Sequence, residues 1–264
     1  GMLGGITTPR VPVAAASGTL GVVIPPSIPM VTYSITASVS IGTMFIAGFV
    51  PGLLLAIALI AVNILTCSKY ERKLEEDGTT FFKAFKEAIW ALIMPLIILG
   101  GIYGRIFTPT EASSVACVYA FIVAMYVYKE IKWSDLRDIF AKSATNTALV
   151  MFVVALSAPF SWLMTSAGIP SQIATSILGL FHSKIAVLMM INVVLLFLGC
   201  FLETQSIILL MTPMLLPLAE AVGLHPIALG LIIVVNTSIG MITPPMAVNL
   251  FVASTIAGIS IEDI

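Results

Sequence analysis

The chain has 264 residues, of which 59% are hydrophobic and only 9% charged, with a net charge of −1. A soluble domain carries about 25% charged residues, so lipid rather than water is the solvent for most of this surface. The balanced charge excludes the basic patch that nucleic acid requires. Three scattered cysteines (Cys67, Cys117, Cys200) and two distant histidines (His182, His225) form neither a disulfide framework nor a zinc spacing. The N-terminus lacks the charged and short apolar regions of a signal peptide. The abrupt start, "GMLGGITTPR", and the abrupt stop, "SIEDI", predict a piece of a longer membrane protein.

About 20 apolar residues at about 1.5 Å each cross the hydrocarbon of a bilayer. In chain order, spans are predicted over 11–36, 44–67, 88–105, 111–128 and 145–164. A pair at 185–202 and 204–220 follows, then 227–256. Two charged stretches interrupt them. Residues 69–87 hold five of the twelve basic residues and 129–142 hold four, whereas the loop 105–111 holds one. Two spans separate the charged stretches, so they share a side, and their basic excess predicts that this side is the cytoplasm. In the second stretch Ile131, Trp133, Leu136, Ile139 and Phe140 fall near helical spacing between charges. That pattern predicts an arm helix over 129–144 lying in the membrane interface, a scaffold element. In "FTPTEA", Thr108, Pro109 and Thr110 precede Glu111 as at a helix start, so Glu111 is read as a cap.

The first span carries "GVVIPPS" (21–27), and nearly the same phrase, "GMITPPM" (240–246), returns in the last. Aligning Gly21 with Gly240 places Pro25 and Pro26 on Pro244 and Pro245. The polar run Ser17-Gly18-Thr19 falls on Asn236-Thr237-Ser238, and, with one insertion, "ASVSI" (37–41) on "AGISI" (257–261). Counting outward from the cytoplasmic loops gives the two spans opposite directions, as in an inverted repeat. Each proline deletes an amide donor and clashes with the preceding turn, so adjacent prolines break a helix. Free carbonyls and amides in hydrocarbon cost several kcal/mol each unless satisfied. Such breaks therefore line a cavity or bind a ligand, carbonyls suiting a cation and half-helix N-termini an anion. The competing reading is a plain proline kink packed against its neighbours.

Between these phrases, 195–220 places Glu203 between two apolar arms. Charge counting leaves two readings. Two full spans would put Glu203 in a cytoplasmic turn; a re-entrant hairpin would put the tip "GCFLETQ" inside the protein. An ionisable residue within the membrane is by default a functional-site candidate.

The phrases "AAASGTLGVVIPPSIPMVTYSI", "IILGGIYGRIFTPTEASSVACVYAFIV" and "TSIGMITPPMAVNLFVAS" closely resemble the large membrane subunit of tripartite ATP-independent periplasmic (TRAP) transporters. The resemblance covers residues 13–264. It implies an all-α membrane protein of the ion-transporter type, with inverted repeats, broken helices and a re-entrant hairpin. It further implies an elevator in which a transport domain slides against a scaffold. The implied function is sodium-coupled import of organic anions, carboxylates such as C4-dicarboxylates or sialic acid. Sodium ions couple transport and no other cofactor is implied. The implied partners are a small membrane subunit, a periplasmic substrate-binding protein, the organic-acid substrate and the lipid bilayer. The implied location is the bacterial or archaeal cytoplasmic (inner) membrane, in a multi-pass arrangement.

Carried onto this sequence, the resemblance makes 11–42 the broken helix of the first repeat and 43–128 scaffold helices. Residues 129–144 become a connecting arm, and 145–264 the second-repeat transport domain. The last comprises a helix over 145–181, the hairpin 185–220 and the broken helix 227–256. Implied sodium- or substrate-binding residues are Ser17, Gly18, Thr19, Gly21, Pro25, Pro26 and Ser27 in the first repeat. The hairpin tip adds Gly199, Glu203 and Thr204. The second repeat adds Asn236, Thr237, Gly240, Thr243, Pro244, Pro245 and Asn249. Sodium would be held by backbone carbonyls near Gly18–Pro25 and Thr237–Pro244. The family pattern has further spans and a first hairpin before this region, and a final span after it. Half of one ion site is therefore expected outside this sequence, and this polypeptide alone is not expected to transport.

The nearest rival is another inverted-repeat, ion-coupled anion carrier or a channel, which sodium dependence and the need for a binding protein would separate. An enzyme would need a nucleophile–base pair or metal ligands within the membrane. The sequence offers neither: both histidines sit at loop edges, and Glu203 has no acidic partner in another span. A passive structural subunit would leave the repeated helix breaks unexplained.

Overall fold

The computed structural model describes residues 10–67, 81–181, 183–245, 247–258 and 260. Most of the first charged stretch, His182, Met246, Ile259 and the last four residues lie outside these. All regular structure among the described residues is helical. Five helices are long and apolar enough to cross a bilayer: Ile41–Thr66, Phe85–Tyr103, Pro109–Val127, Lys184–Phe201 and Thr204–Ala221. A sixth crossing is possible if the bent pair Val11–Val23 and Ile28–Thr36 is one span. The chain is an all-α membrane protein.

Contacts divide the chain into two compact units, residues 72–152 and the remainder. In the larger unit the first predicted span is α1 (Arg10–Ser17), α2 (Leu20–Val23) and α3 (Ile28–Thr36). The break at 24–27 turns the helix by 41°. Ser27 then starts α3 as its N-cap, its hydroxyl accepting from the Met30 amide at 3.4 Å, with Pro29 in the first turn. Proline suits that position, because first-turn amides have no intrahelical acceptor. After α4 (Ile41–Cys67), this unit resumes with α8 (Ile169–Leu180), α9 (Lys184–Phe201) and α10 (Thr204–Ala221). The last predicted span is α11 (Pro226–Gly240) and α12 (Val248–Ala257), broken at 241–247. Both Pro-Pro bonds, Pro25–Pro26 and Pro244–Pro245, are cis.

The two broken helices pack head to tail. The first half of one (α1) lies against the second half of the other (α12), and α3 against the first half, α11. Pairing of this kind requires opposite chain directions, as the inverted repeat predicts. Tyr33 on α3, fully buried, donates from its hydroxyl to Pro226 O at 2.5 Å. Its ring occupies the space a side chain at Gly230 would need. At the other end Asn249 Nδ2 donates to Ala15 O at 3.5 Å. Within lipid there is little hydrophobic drive between helices, so close packing and polar ties of this kind hold them together. The helix α4, grouped by sequence with the scaffold, packs on α1, α2, α3 and α11.

In the smaller unit α5 (Phe81–Tyr103) and α6 (Pro109–Ile122) form an antiparallel pair, extended by a π-helical turn over Val123–Val127. Tyr119 Oη donates to Trp90 O and Tyr128 Oη to Glu87 O, each at 2.7 Å. Glu87 and Tyr128 therefore share one end, bringing the described part of the first charged stretch beside the start of the second. At the other end Thr108 and Glu111 form a reciprocal capping box, the role read for Glu111 from sequence.

The arm helix differs from expectation. Residues 129–135 are irregular backbone and a turn, and α7 begins only at Leu136 and runs unbroken to Ser166. The amphipathic stretch and the span predicted at 145–164 are thus one helix. Lys129, with φ 56°, ends the preceding helix, and Asp135 accepts from Lys132 N, folding 132–135 into a turn before α7.

Candidate functional site

The hairpin α9–α10 turns through only two residues, Leu202 and Glu203. Glu203 is the N-cap of α10: Oε2 accepts from Gln205 N at 2.8 Å and Ser206 N at 3.2 Å. A carboxylate at a helix start satisfies amides that have no other acceptor and complements the helix dipole. The sequence raised Glu203 as a membrane-embedded acid; the structure shows that one of its oxygens is already engaged.

This tip closes on the break of the second broken helix. Gly199, Leu202, Glu203 and Thr204 from the hairpin, with Thr237, Gly240, Met241, Ala247 and Val248 from around the break, line a cavity of ≈160 Å³. Its polar side chains are one carboxylate and two hydroxyls, and its lining holds no basic group. Thr237 is 2% exposed and its hydroxyl donates to Val234 O at 3.0 Å. That bond uses the hydrogen and leaves the oxygen lone pairs free to face a cation. The two walls meet without side chains: a Cβ on Gly240 would lie 2.5 Å from Gly199 O and 2.7 Å from Gly199 Cα. The repeated glycine therefore has a definite reason in the second repeat. In the first, a Cβ on Gly21 would meet nothing within 4 Å.

The break is tighter than proline chemistry alone suggests. Met241 N donates to Thr237 O and Ser238 O, Ile242 N to Ile239 O, and Thr243 N to Gly240 O. Asn249 N reaches back to Met241 O at 3.0 Å. The carbonyls of Thr237 to Met241 each accept a bond, those of Ser238, Ile239 and Gly240 through turns of the 3₁₀ kind. Each retains a second lone pair except Ile239 O, which also accepts from the Thr243 hydroxyl. The junction of α1 and α2, ahead of the first break, has the same turns, Gly21 N donating to Gly18 O and Val22 N to Thr19 O.

Five sequence-named residues thus share the cavity: Gly199, Glu203, Thr204, Thr237 and Gly240. Thr243, Pro244, Pro245, Asn236 and Asn249 lie near the break without lining it; Thr243 donates to Ile239 O at 2.9 Å. Ser17, Gly18, Thr19, Gly21, Pro25, Pro26 and Ser27 gather around the first break, where Asn249 approaches Gly18. Sequence reasoning missed Asn192, whose Oδ1 accepts from Asn236 Nδ2 at 2.8 Å. It also missed Gln205 Oε1 and Thr212 Oγ1 on α10, buried atoms without a hydrogen-bond partner among the described residues. A lone polar residue in an apolar arm was the available signal for Asn192.

A family profile described as "Tripartite ATP-independent periplasmic transporter, DctM component" matches residues 9–264. The chain belongs to this family. It is 44% identical to the isethionate TRAP transporter permease protein of Oleidesulfovibrio alaskensis, over 96% of this chain and 40% of that protein. It is 41% identical to the C4-dicarboxylate TRAP transporter large permease protein of Pseudomonas aeruginosa, over 92% of this chain and 57% of that protein. The sialic acid TRAP transporter large permease protein of Vibrio cholerae is 37% identical over 93% of this chain and 58% of its own length. The DctM-family chain spans about half the length of the curated relatives it matches. These relatives are transporters rather than enzymes.

Proposed function

We propose that this DctM-family chain is part of the large membrane subunit of a sodium-coupled secondary transporter in the cytoplasmic (inner) membrane. It imports an organic anion delivered by a periplasmic binding protein and works with a small membrane subunit. The related permeases are named for isethionate, C4-dicarboxylates and sialic acid, all organic anions, which supports that substrate class. One observation carries the coupling: the hairpin tip and the helix break enclose a cavity of hydroxyls, backbone and a carboxylate, with no basic side chain in its lining. Hard oxygen donors suit an alkali cation, and an organic anion entering beside Glu203 needs a cation to offset the repulsion. The hairpin's second arm supports a place inside the protein rather than in lipid, since α10 packs on α3, α8, α9 and α11.

The test is uptake of labelled isethionate, succinate and sialic acid by proteoliposomes holding the full-length permease and its small subunit. Uptake of one of these is expected to need both an inward sodium gradient and the binding protein. Equal uptake with potassium replacing sodium, or without the binding protein, refutes the proposal.

A further inference from the structure

The amide pair between α9 and α11 is directional. Asn192 Nδ2 donates to Leu188 O one turn back, at 2.7 Å. Its Oδ1 therefore faces the neighbouring helix, where it accepts from Asn236 Nδ2 at 2.8 Å. The other N–H of Asn236 goes to Ile232 O at 2.7 Å. Both donors of Asn236 are used, so its amide is held one way round, with the oxygen left to accept. Without Asn192 only the local Ile232 bond would remain, and one buried N–H would have no partner.

Asn236 is 4% exposed. It immediately precedes Thr237, and Gly240 lies one turn further; both line the cavity, whereas Asn192 does not. The opposite wall at this point is Gly199, on the same helix as Asn192. Among the described residues, the Asn192–Asn236 bond is the only side-chain hydrogen bond joining α9 and α11. The Gly199–Gly240 contact stops the two helices approaching further, but it does not set their rotation.

On the sodium reading above, we infer that Asn192 is a positioning residue for the coupling cation. It acts through Asn236, fixing the last turn of α11 against α9 so that the Thr237 hydroxyl and the two glycine backbones keep their spacing. Groups that orient a metal's ligands lower its affinity by on the order of 10–100-fold when removed.

The experiment titrates sodium against the melting temperature of the full-length permease with its small subunit, with choline chloride holding ionic strength constant. In Asn192→Leu and Asn192→Ser the sodium concentration giving half of the stabilisation is expected to rise at least about tenfold. Asn192→Asp keeps the acceptor oxygen and is expected to stay within about threefold of the wild type, or to bind more tightly. A purely structural role would lower the melting temperature equally with and without sodium and leave that midpoint in place. The serine variant covers a leucine variant that fails to fold. A normal midpoint in both Leu and Ser variants, or an Asp variant as weak as Leu, overturns this inference alone. A wild type that sodium does not stabilise over choline overturns the sodium reading and this inference with it.

Discussion

Gly240→Ala should destabilise the permease through backbone overpacking. The new methyl carbon would lie 2.5 Å from Gly199 O, whereas ordinary contact begins at 3.4 Å, so α9 and α11 must yield by about 0.9 Å. The obstructing atoms are main chain, and no rotamer change relieves them. Overpacking of this kind costs about 1–3 kcal/mol, while alanine's better helix propensity returns up to about 1 kcal/mol. A net loss of about 1–2 kcal/mol lowers the melting temperature by a few degrees in a protein of this size. Gly179→Ala in α8 is the control: a Cβ there meets nothing within 4 Å, so only the propensity gain applies. Both variants are melted in the same detergent by intrinsic fluorescence. A Gly240→Ala variant as stable as Gly179→Ala would show that the hairpin tip and the break are not in backbone contact.

Two further outcomes follow, one from the cavity and one from the turn before α7. Thr237→Val removes an oxygen from the cavity wall and should raise the sodium needed for half-maximal uptake about tenfold, a ligand worth ~1.4 kcal/mol. Thr243→Val, off the cavity lining, should change it less; equal effects would move the site towards the proline pair. The carboxyl of Asp135 is held below its usual range by the Lys132 amide first, then by the Ser134 hydroxyl and the Lys132 charge. A lowered folded-state pKa stabilises above the unfolded value near 4 and is lost as pH falls through the folded one. Protection of the Lys132 amide, the slowing of its exchange relative to the intrinsic rate at the same pH, should thus be high at neutral pH and fall on acidification, and Asp135→Ala, which has no acceptor, should show low protection throughout. High protection in the Ala variant at neutral pH would contradict this.

Much of the architecture could be read from the chain because its causes are local. Proline pairs break helices wherever they stand, and the spacing from Gly21 to Pro26 repeats from Gly240 to Pro245. Charge asymmetry between 69–87, 105–111 and 129–142 predicts both charged stretches on one side, and the tie between Glu87 and Tyr128 brings the described end of the first beside the start of the second. What stayed hidden depends on partners distant in sequence. Gly21 and Gly240 look alike in the chain, but only Gly240 has a helix backbone against it, because Gly199 arrives from another element. Asn192 is a single polar residue in an apolar arm, and only the fold brings Asn236 opposite it. The arm helix was misjudged for a different reason: the charged residues at 129–142 hid a helix start at Leu136 that continues into apolar sequence without a break.

Glu203 separates two roles that the sequence could not. Its Oε2 caps α10 through two amides, and the same carboxylate lines the cavity beside Thr204 and Thr237. Glu203→Gln keeps an oxygen able to accept both amides and removes only the charge, so the cap and the melting temperature should be nearly unchanged. A cation in the cavity would lose a Coulomb attraction of about 1 kcal/mol in a watery setting, and about 4 kcal/mol at an effective dielectric of 20 for a 4 Å separation. Even the lower bound weakens sodium several-fold, and about 1.4 kcal/mol corresponds to tenfold. Glu203→Ala removes the cap as well and should cost about 1 kcal/mol of stability. The pair is read by sodium-dependent uptake and by melting temperature on the same preparations. If Glu203→Gln keeps the wild-type sodium dependence while Glu203→Ala melts early, the carboxylate is a cap alone. The cation would then be held by Thr237, Thr204 and backbone oxygens without a neighbouring charge. If Glu203→Gln shifts the sodium dependence at unchanged stability, the charge works on the ion, and capping is how the helix keeps that charge at the cavity's edge.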